Sequence, residues 1–318
     1  MAKRIPSHKA TGREKLYALG CLLLVGTFLA LSLIMAKLAD QAGAPRLTFL
    51  MTGLAGAGII LALLTTGEGR ATPLNRRTVE YALVSGVLMA VPNAMGFLAV
   101  RHVGAGFISL SFAFPILVTW VMAVVLGMER FQGLRLLGVL LALAGGVILA
   151  VSKAGSSPGD PIWAALVLAM PIALAAGNIY RTWRWPANTS PMFLAALMMF
   201  GAALSLLPLS LITEDGGVPA LFRSPTLVGL VGLEVLIFAT LYHFFFVLQA
   251  LAGPVYLSQI GTVAAVVGTV IAVFALGEPT PPNLSLAGTL VAAGLIVFHR
   301  SAKTHVTNTE EPRHVRTE

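Results

Sequence analysis

Few side chains in this sequence can carry charge in an apolar setting, and Glu234 is foremost among them. It stands eight residues past Thr226 in an apolar run, about 12 Å along a helix at 1.5 Å per residue, near the middle of a bilayer if the run crosses one. A carboxyl at that depth costs a few kcal/mol and therefore faces a cavity or a partner. Two chemistries suit it: a protonatable group that couples solute movement to protons, or a counter-ion for a cationic solute. The structural alternative is a neutral acid hydrogen-bonded to a neighbouring helix. Tyr242 falls about 80° from Glu234 on the helical wheel and can share its cavity. His243, nine residues on, takes the opposite face, so it forms no simple pair with the glutamate.

Other polar residues stand inside apolar runs. Pro92 removes a backbone donor, and Asn93 beside it either patches the freed carbonyl or bonds a solute. Ser111 shares a face with Pro115, and Trp120 lies deeper in the same run. Tyr256 and Gln259, three apart and bulky, are better suited to a cavity than Ser258, Thr262 and Thr269, whose small side chains suit close helix packing. Glu234, Asn93, Tyr242, Tyr256, Gln259, Ser111 and Trp120 are thus the candidate substrate-binding residues. Asn178 and Tyr180 are candidates for a vestibule. Glu129 and Glu278 close two apolar runs and are expected to cap neighbouring helix starts and hold loops. The histidines are scattered and the one cysteine, Cys21, lies in an apolar run, so no metal site is expected.

These residues need elements to hold them, and the composition indicates which. Of 318 residues, 57% are hydrophobic and 11% charged, against about 25% charged in a soluble domain. So few charges cannot coat a globular surface in water. The net charge of +8 sits in short loops and at the chain ends, with no basic stripe interleaved with aromatics, so nucleic acid is not an expected partner. The lipid bilayer is. Apolar runs divide into Leu16–Ala36, Leu47–Thr66, Val79–Val100, Gly104–Gly127, Leu134–Val151, Ile162–Tyr180, Pro191–Ile212, Thr226–Leu251, Val255–Leu276 and Leu284–Phe298. Tight connections are expected at Arg101–Val103 and Ala252–Pro254. Trp163, Trp183 and Trp185 fall at run ends as interfacial anchors.

Ten spans with the N-terminus inside place 16 of the 21 lysines and arginines, Arg181 and Arg184 among them, in cytoplasmic segments. Cytoplasmic loops accumulate these residues, so both termini are expected in the cytoplasm. The segments expected are 1–15 (cytoplasmic N-terminal), 16–151 (first half), 152–161 (linker), 162–300 (second half) and 301–318 (polar cytoplasmic tail).

The halves resemble each other. An offset of 149 residues brings Gly104 onto Gly253, Ser109 onto Ser258, Glu129 onto Glu278 and Gly145 onto Gly294. Five spans per half is an odd number, so the second half enters the membrane from the opposite side. The fold expected is therefore an all-α polytopic membrane protein of ten transmembrane helices in two inverted five-helix repeats. Inverted halves can exchange conformations and expose a central site to alternate sides.

The stretches Leu126-Gly-Met-Glu-Arg-Phe, Leu137-Gly-Val and Ala144-Gly-Gly-Val match Leu276-Gly-Glu-Pro, Ala287-Gly-Thr and Ala293-Gly-Leu. In these the chain resembles the EamA-type transporters of the drug/metabolite transporter superfamily over residues 16–300. The resemblance implies two five-helix repeats, a cavity lined by helices other than the fifth of each half, a bacterial inner-membrane location, and export of small metabolites such as amino acids. Absences bear on the solute. With no lysine or arginine in the middle of a span, phosphorylated solutes are disfavoured, and a neutral, zwitterionic or cationic small molecule is expected. No phosphate-cradling loop, zinc motif or nucleophile triad is present, so neither an enzyme nor a cofactor is expected, and energy is expected from a gradient, with protons as a coupling ion. The alternative is a channel or scaffold subunit without carrier activity.

Overall fold

The computed structural model describes residues 12–67, 74–127, 129, 131–154, 161–278 and 283–307. The described residues form helices throughout: α1 (Gly12–Gln41), α2 (Arg46–Gly67), α3 (Arg76–Val103), α4 (Ala105–Ser111), α5 (Pro115–Val125), α6 (Gly133–Ala154), α7 (Pro161–Trp183), α8 (Pro191–Thr213), α9 (Gly217–Leu221), α10 (Pro225–Leu257), α11 (Ile260–Phe274) and α12 (Leu284–Thr307). Seven stretches are long and apolar enough to cross a bilayer, lying in α1, α2, α3, α4 with α5, α7, α8 and α10. Three shorter apolar helices occupy Gly133–Ile148, Ile260–Phe274 and Ser285–Phe298. Large apolar side chains such as Ile59, Leu63, Leu140, Leu204, Leu236 and Val270 face outward. Water would penalise that surface, and hydrocarbon would not. The chain is an all-α, multi-pass membrane protein.

Local sequence sets the helix limits. Asn75 starts α3 with a capping box: its side chain accepts from the Arg77 and Thr78 amides, and Thr78 Oγ1 accepts from the Asn75 amide at 2.9 Å. Ser190 and Ser224 cap α8 and α10 with a single bond each, accepting from the Phe193 and Leu227 amides, and each is followed by a proline that has no amide to leave unpaired. At the ends of α5 and α11, Gly127 (φ +69°) and Gly277 (φ +63°) reverse the chain, and the amides of Glu129 and Glu278 reach back to the Ala123 and Ala272 carbonyls at 3.1 and 3.0 Å. Each bond reaches six residues back, and the positive φ beside it is open to glycine because it has no Cβ.

Three expectations need correction. The run Gly104–Gly127 is not one helix but breaks at Phe112–Phe114. Pro115 has no amide to offer the Ser111 carbonyl, and the turn tightens: Phe112, Ala113 and Phe114 each donate to the carbonyl three residues back, all at 3.1 Å. Second, the connection expected at Ala252–Pro254 is helical, and α10 continues to Leu257 before breaking at Ser258–Gln259. Pro254 loses only its own donor, and its carbonyl still accepts from the Ser258 amide at 3.1 Å. Third, α12 extends to Thr307, into the segment expected as polar tail. Of the other expected terminal and linker segments, positions 1–11, 155–160 and 308–318 lie outside the described residues.

Small residues let the helices approach closely. A Cβ on Gly138 of α6 would lie 2.6 Å from the Gly294 carbonyl of α12, and one on Gly145 would lie 2.7 Å from the Ala287 carbonyl. Gly86 of α3 lies against the backbone of Gly201 in α8, and Gly268 of α11 against Ser109 of α4. With hydrocarbon on the outside, such packing rather than apolar transfer holds the bundle together. Other extensive pairings are α1 with α10 and α11, α2 with α8 and α10, α3 with α7 and α8, and α5 with α7.

Candidate functional site

A cavity with about 660 Å³ of empty space, its open part included, lies among α1, α3, α7, α10, α11 and the break before α5. Leu29, Leu88, Phe112, Leu241 and Phe245 make most of its wall apolar, and its polar groups come from Asn93, Asn178, Arg181, Tyr242 and Ser258. Among the described residues, none of its lining comes from α2, α6, α8 or α12. A smaller pocket of about 230 Å³ shares Leu29, Pro92, Asn93 and Phe112 with it and adds Ser32, Gly96 and Phe97.

The helix breaks build this cavity. Pro92 and Asn93 place a bend in the middle of α3, and the Asn93 amide nitrogen donates to the Met89 carbonyl at 2.8 Å while the residue still lines the cavity. Asn93 thus faces the space, but the carbonyl it bonds is that of Met89 and not the Leu88 carbonyl that Pro92 leaves free. Tyr242, buried on α10, has the Asn93 side chain within hydrogen-bonding reach. At the Ser258–Gln259 break, Gly261 packs against the Phe112 carbonyl so closely that no Cβ would fit. The two interrupted segments therefore meet at the cavity wall.

The other candidates are placed elsewhere. Glu234 is 0% exposed and accepts a hydrogen bond from Ser32 Oγ of α1 at 2.6 Å. Its Cγ packs over Gly53 of α2, and its Oε2 has no hydrogen-bond partner. It does not line the larger cavity; Ser32, its partner, lines the smaller one. Ser111 Oγ turns back to the Ile108 carbonyl at 2.7 Å. Trp120 is buried in a separate apolar cluster with Phe114, Val139 and Phe298, edge-on to Phe298 at 5.8 Å. Tyr256 and Gln259 are half-buried at the end of α10 and border neither pocket. Thus Asn93 and Tyr242 come together, Glu234 sits one residue behind, and Ser111, Trp120, Tyr256 and Gln259 lie outside.

One cavity residue contradicts a premise drawn from the sequence. Arg181, expected among the loop cations, is 3% exposed and points into the cavity from the last turn of α7. Its Nη2 donates to Asn178 Oδ1 at 2.7 Å, its Nη1 approaches Met198 Sδ at 4.0 Å, and its plane lies over the Phe245 ring, 5.1 Å from the centroid. A position near a helix end is compatible with either a snorkelling or a buried arginine, and only the neighbouring helices decide. Asn178, set aside at first as a vestibule candidate, is its partner. Gln249 was not singled out either; its Nε2 donates to the Asn178 carbonyl (3.3 Å) and to Thr182 Oγ1 (3.1 Å), tying α10 to the end of α7. A guanidinium therefore stands in the cavity wall near the end of α7, outside the mid-span positions on which phosphorylated solutes were disfavoured.

The two glutamates that end matching runs have different partners. Glu278 accepts from the Ala105 and Gly106 amides at 2.8 and 3.0 Å, across the start of α4, with Lys37 Nζ at 3.7 Å. Glu129 accepts from Arg135 Nη1 at 2.6 Å, within its own loop. A third carboxylate, Glu214, had no sequence signal beyond its position at a run end. It accepts from the amides of Leu47 and Thr48, both at 2.7 Å, at the start of α2.

No family model matches the chain, and no curated protein matches it either. The fold does have a solved counterpart. One crystal structure of a protein 17% identical in sequence superposes with a TM-score of 0.64, over 92% of this chain and 100% of that one. At this identity the likeness shows the fold alone.

Proposed function

We propose that this chain is a secondary active transporter that moves a small organic solute across a bacterial inner membrane by alternating access, as an exporter of the EamA type. Ten spans form two inverted five-helix repeats, residues 16–151 and 162–300, with both termini in the cytoplasm. The observation that carries this reading is the way helix contacts survive exchange of the halves around the cavity. Let α1, α2, α3 and α6 trade places with α7, α8, α10 and α12, and the α4–α5 segment with α11. The α1–α10 contact becomes α7–α3, α2–α10 becomes α8–α3, α1–α11 becomes α7–α5, and α2–α8 and α6–α12 return to themselves; each of these contacts is present. The same exchange at an offset of 149 turns the close pair Gly138–Gly294 into Ala287–Gly145, which is the other close pair.

A bundle related in this way has two equivalent arrangements in which its halves swap conformations, and the ligand site then faces alternate sides. The cavity lies where such a site is needed, lined by both halves and by the two interrupted segments. It reaches from mid-helix toward the end of α7, where Arg184 pairs with Glu80 at the start of α3 (2.6 Å). With both termini cytoplasmic, that end faces inward. At the other end the Glu278 and Glu214 carboxylates tie the starts of α4 and α2. Glu234 is the residue assigned to proton coupling, acting through Ser32 at the smaller pocket.

The test is solute counterflow in proteoliposomes holding the purified chain. Saturable, two-way flux that is trans-stimulated by internal solute is expected, with Glu234→Gln flattening its dependence on pH. Non-saturating conductance without trans-stimulation would replace this reading with the channel alternative, and absence of both with the scaffold.

A further inference from the structure

We infer that Arg181 is the binding site for the anionic group of the solute, a carboxylate on an apolar or aromatic body. This deepens the carrier reading and rests on it for the solute being cargo.

The geometry around the guanidinium is that of a donor set left open. A guanidinium offers five N–H donors in a planar fork. Here one hydrogen bond goes to Asn178 and a weak contact to the Met198 sulfur, while Nε has no partner. Among the described residues no carboxylate pairs with it. Glu234 cannot reach: the arginine lies over Phe245, eleven residues further along α10, or about 16 Å along the helix axis. A buried cation without a counter-charge is costly, and this one lines a cavity from which an anionic group could reach it.

The surroundings hold the fork in place rather than neutralise it. Gly177, one turn before Arg181, leaves the room it occupies; a Cβ there would lie 2.9 Å from Arg181 Nη1. Thr182 Oγ1 and Gln249 Nε2 both donate to the Asn178 carbonyl, which fixes the residue that orients the guanidinium. Such pre-organisation lowers the ordering cost of binding. A flat fork with an aromatic ring on one face suits a carboxylate, which accepts two parallel N–H bonds. A phosphate dianion would leave one negative charge unmatched by the single cation. The rest of the wall, with Leu29, Phe112 and Leu241, accommodates the apolar body.

Calorimetric titration of the detergent-purified full chain with phenylacetate, phenylacetamide and phenethylamine tests this. The three share a ring and differ in charge. Phenylacetate is expected to bind about tenfold or more tighter than the amide, the difference between a charge-assisted and a neutral hydrogen bond. Arg181→Gln should abolish that preference, and Arg181→Lys should keep part of it. Gly177→Ala, which retains the charge but displaces the fork, should also weaken phenylacetate. Equal binding of acid and amide, tighter binding of the amine, no binding of any of the three, or an unchanged preference in Arg181→Gln overturns the assignment. Proteoliposome flux separates the two readings: phenylacetate bound but never moved sinks the carrier and leaves the anion site. Flux of the amine without phenylacetate binding sinks the anion site and leaves the carrier.

Discussion

Glu129 and Glu278 occupy matching places in the two halves, end their helices through the same backbone turn, and do different work. Glu278 reaches out of its own segment and holds two amides at the start of α4, where Gly104 (φ +83°) joins α3 to α4. Glu129 stays local and pairs with Arg135. The chain opposite explains part of the contrast. By the offset of 149, the positions that correspond to Gly104, Ala105 and Gly106 are Gly253, Pro254 and Val255, and Pro254 has no amide to donate. A carboxylate can hold a helix start only where free amides point at it. The Glu278 carboxylate therefore ties its segment to a helix start, and its counterpart Glu129 does not. A repeat in sequence does not make its two copies equivalent in a single conformation.

Substitutions can break or sharpen that contrast, beginning with the largest effect expected. Glu278→Ala orphans two backbone amides and the Lys37 contact, and should lower stability by about 2–3 kcal/mol, measured by reversible denaturation in detergent. Gly104→Ala forces a Cβ to within 2.7 Å of Glu278 Oε2 at a positive φ, and a cost of about 1–3 kcal/mol is expected. Because both changes disturb one contact, the double variant should cost less than the sum of the singles; simple additivity would mean that Gly104 does not serve the Glu278 clamp. Glu214→Gln keeps an acceptor for α2 but loses the charge, and about 1 kcal/mol is expected. Glu129→Ala should cost about 1 kcal/mol or less, as for a partly exposed ion pair. If it costs as much as Glu278→Ala, the two ends are equally tied and the contrast fails.

Much of the fold was legible because its signals are local or additive. Apolar runs of bilayer length, Ser-Pro helix starts and glycines before glutamates depend on neighbours in the chain, so the helices could be placed within a few residues. Even so, a local rule failed at Pro254. A proline interrupts one hydrogen bond, and a continuous helix that keeps its other bonds can be the cheaper solution in a membrane. The break at Phe112–Phe114 went the other way, because a second interrupted segment packs against it.

The candidate site was less legible. Helical spacing assigns a residue to a face, yet nothing in the spacing says what covers that face. Spacing put Glu234 and Tyr242 at one cavity, whereas Gly53 and Ser32 enclose the glutamate while Tyr242 faces the open space. Trp120, a large aromatic in an apolar run and a candidate for the substrate site, is instead in the cluster with Phe298.

By itself, then, the sequence determined that this is a bundle of membrane-crossing helices, where most of those helices begin and end, and that Glu234 must be buried. Charge is too scarce to coat the chain in water, and caps and glycines act over a single turn. Only the tertiary structure decided that Arg181 turns inward, that Glu278 and Glu129 part company, and which polar residues share one cavity. Those outcomes depend on surfaces contributed by helices up to two hundred residues apart, and no local pattern carries that information.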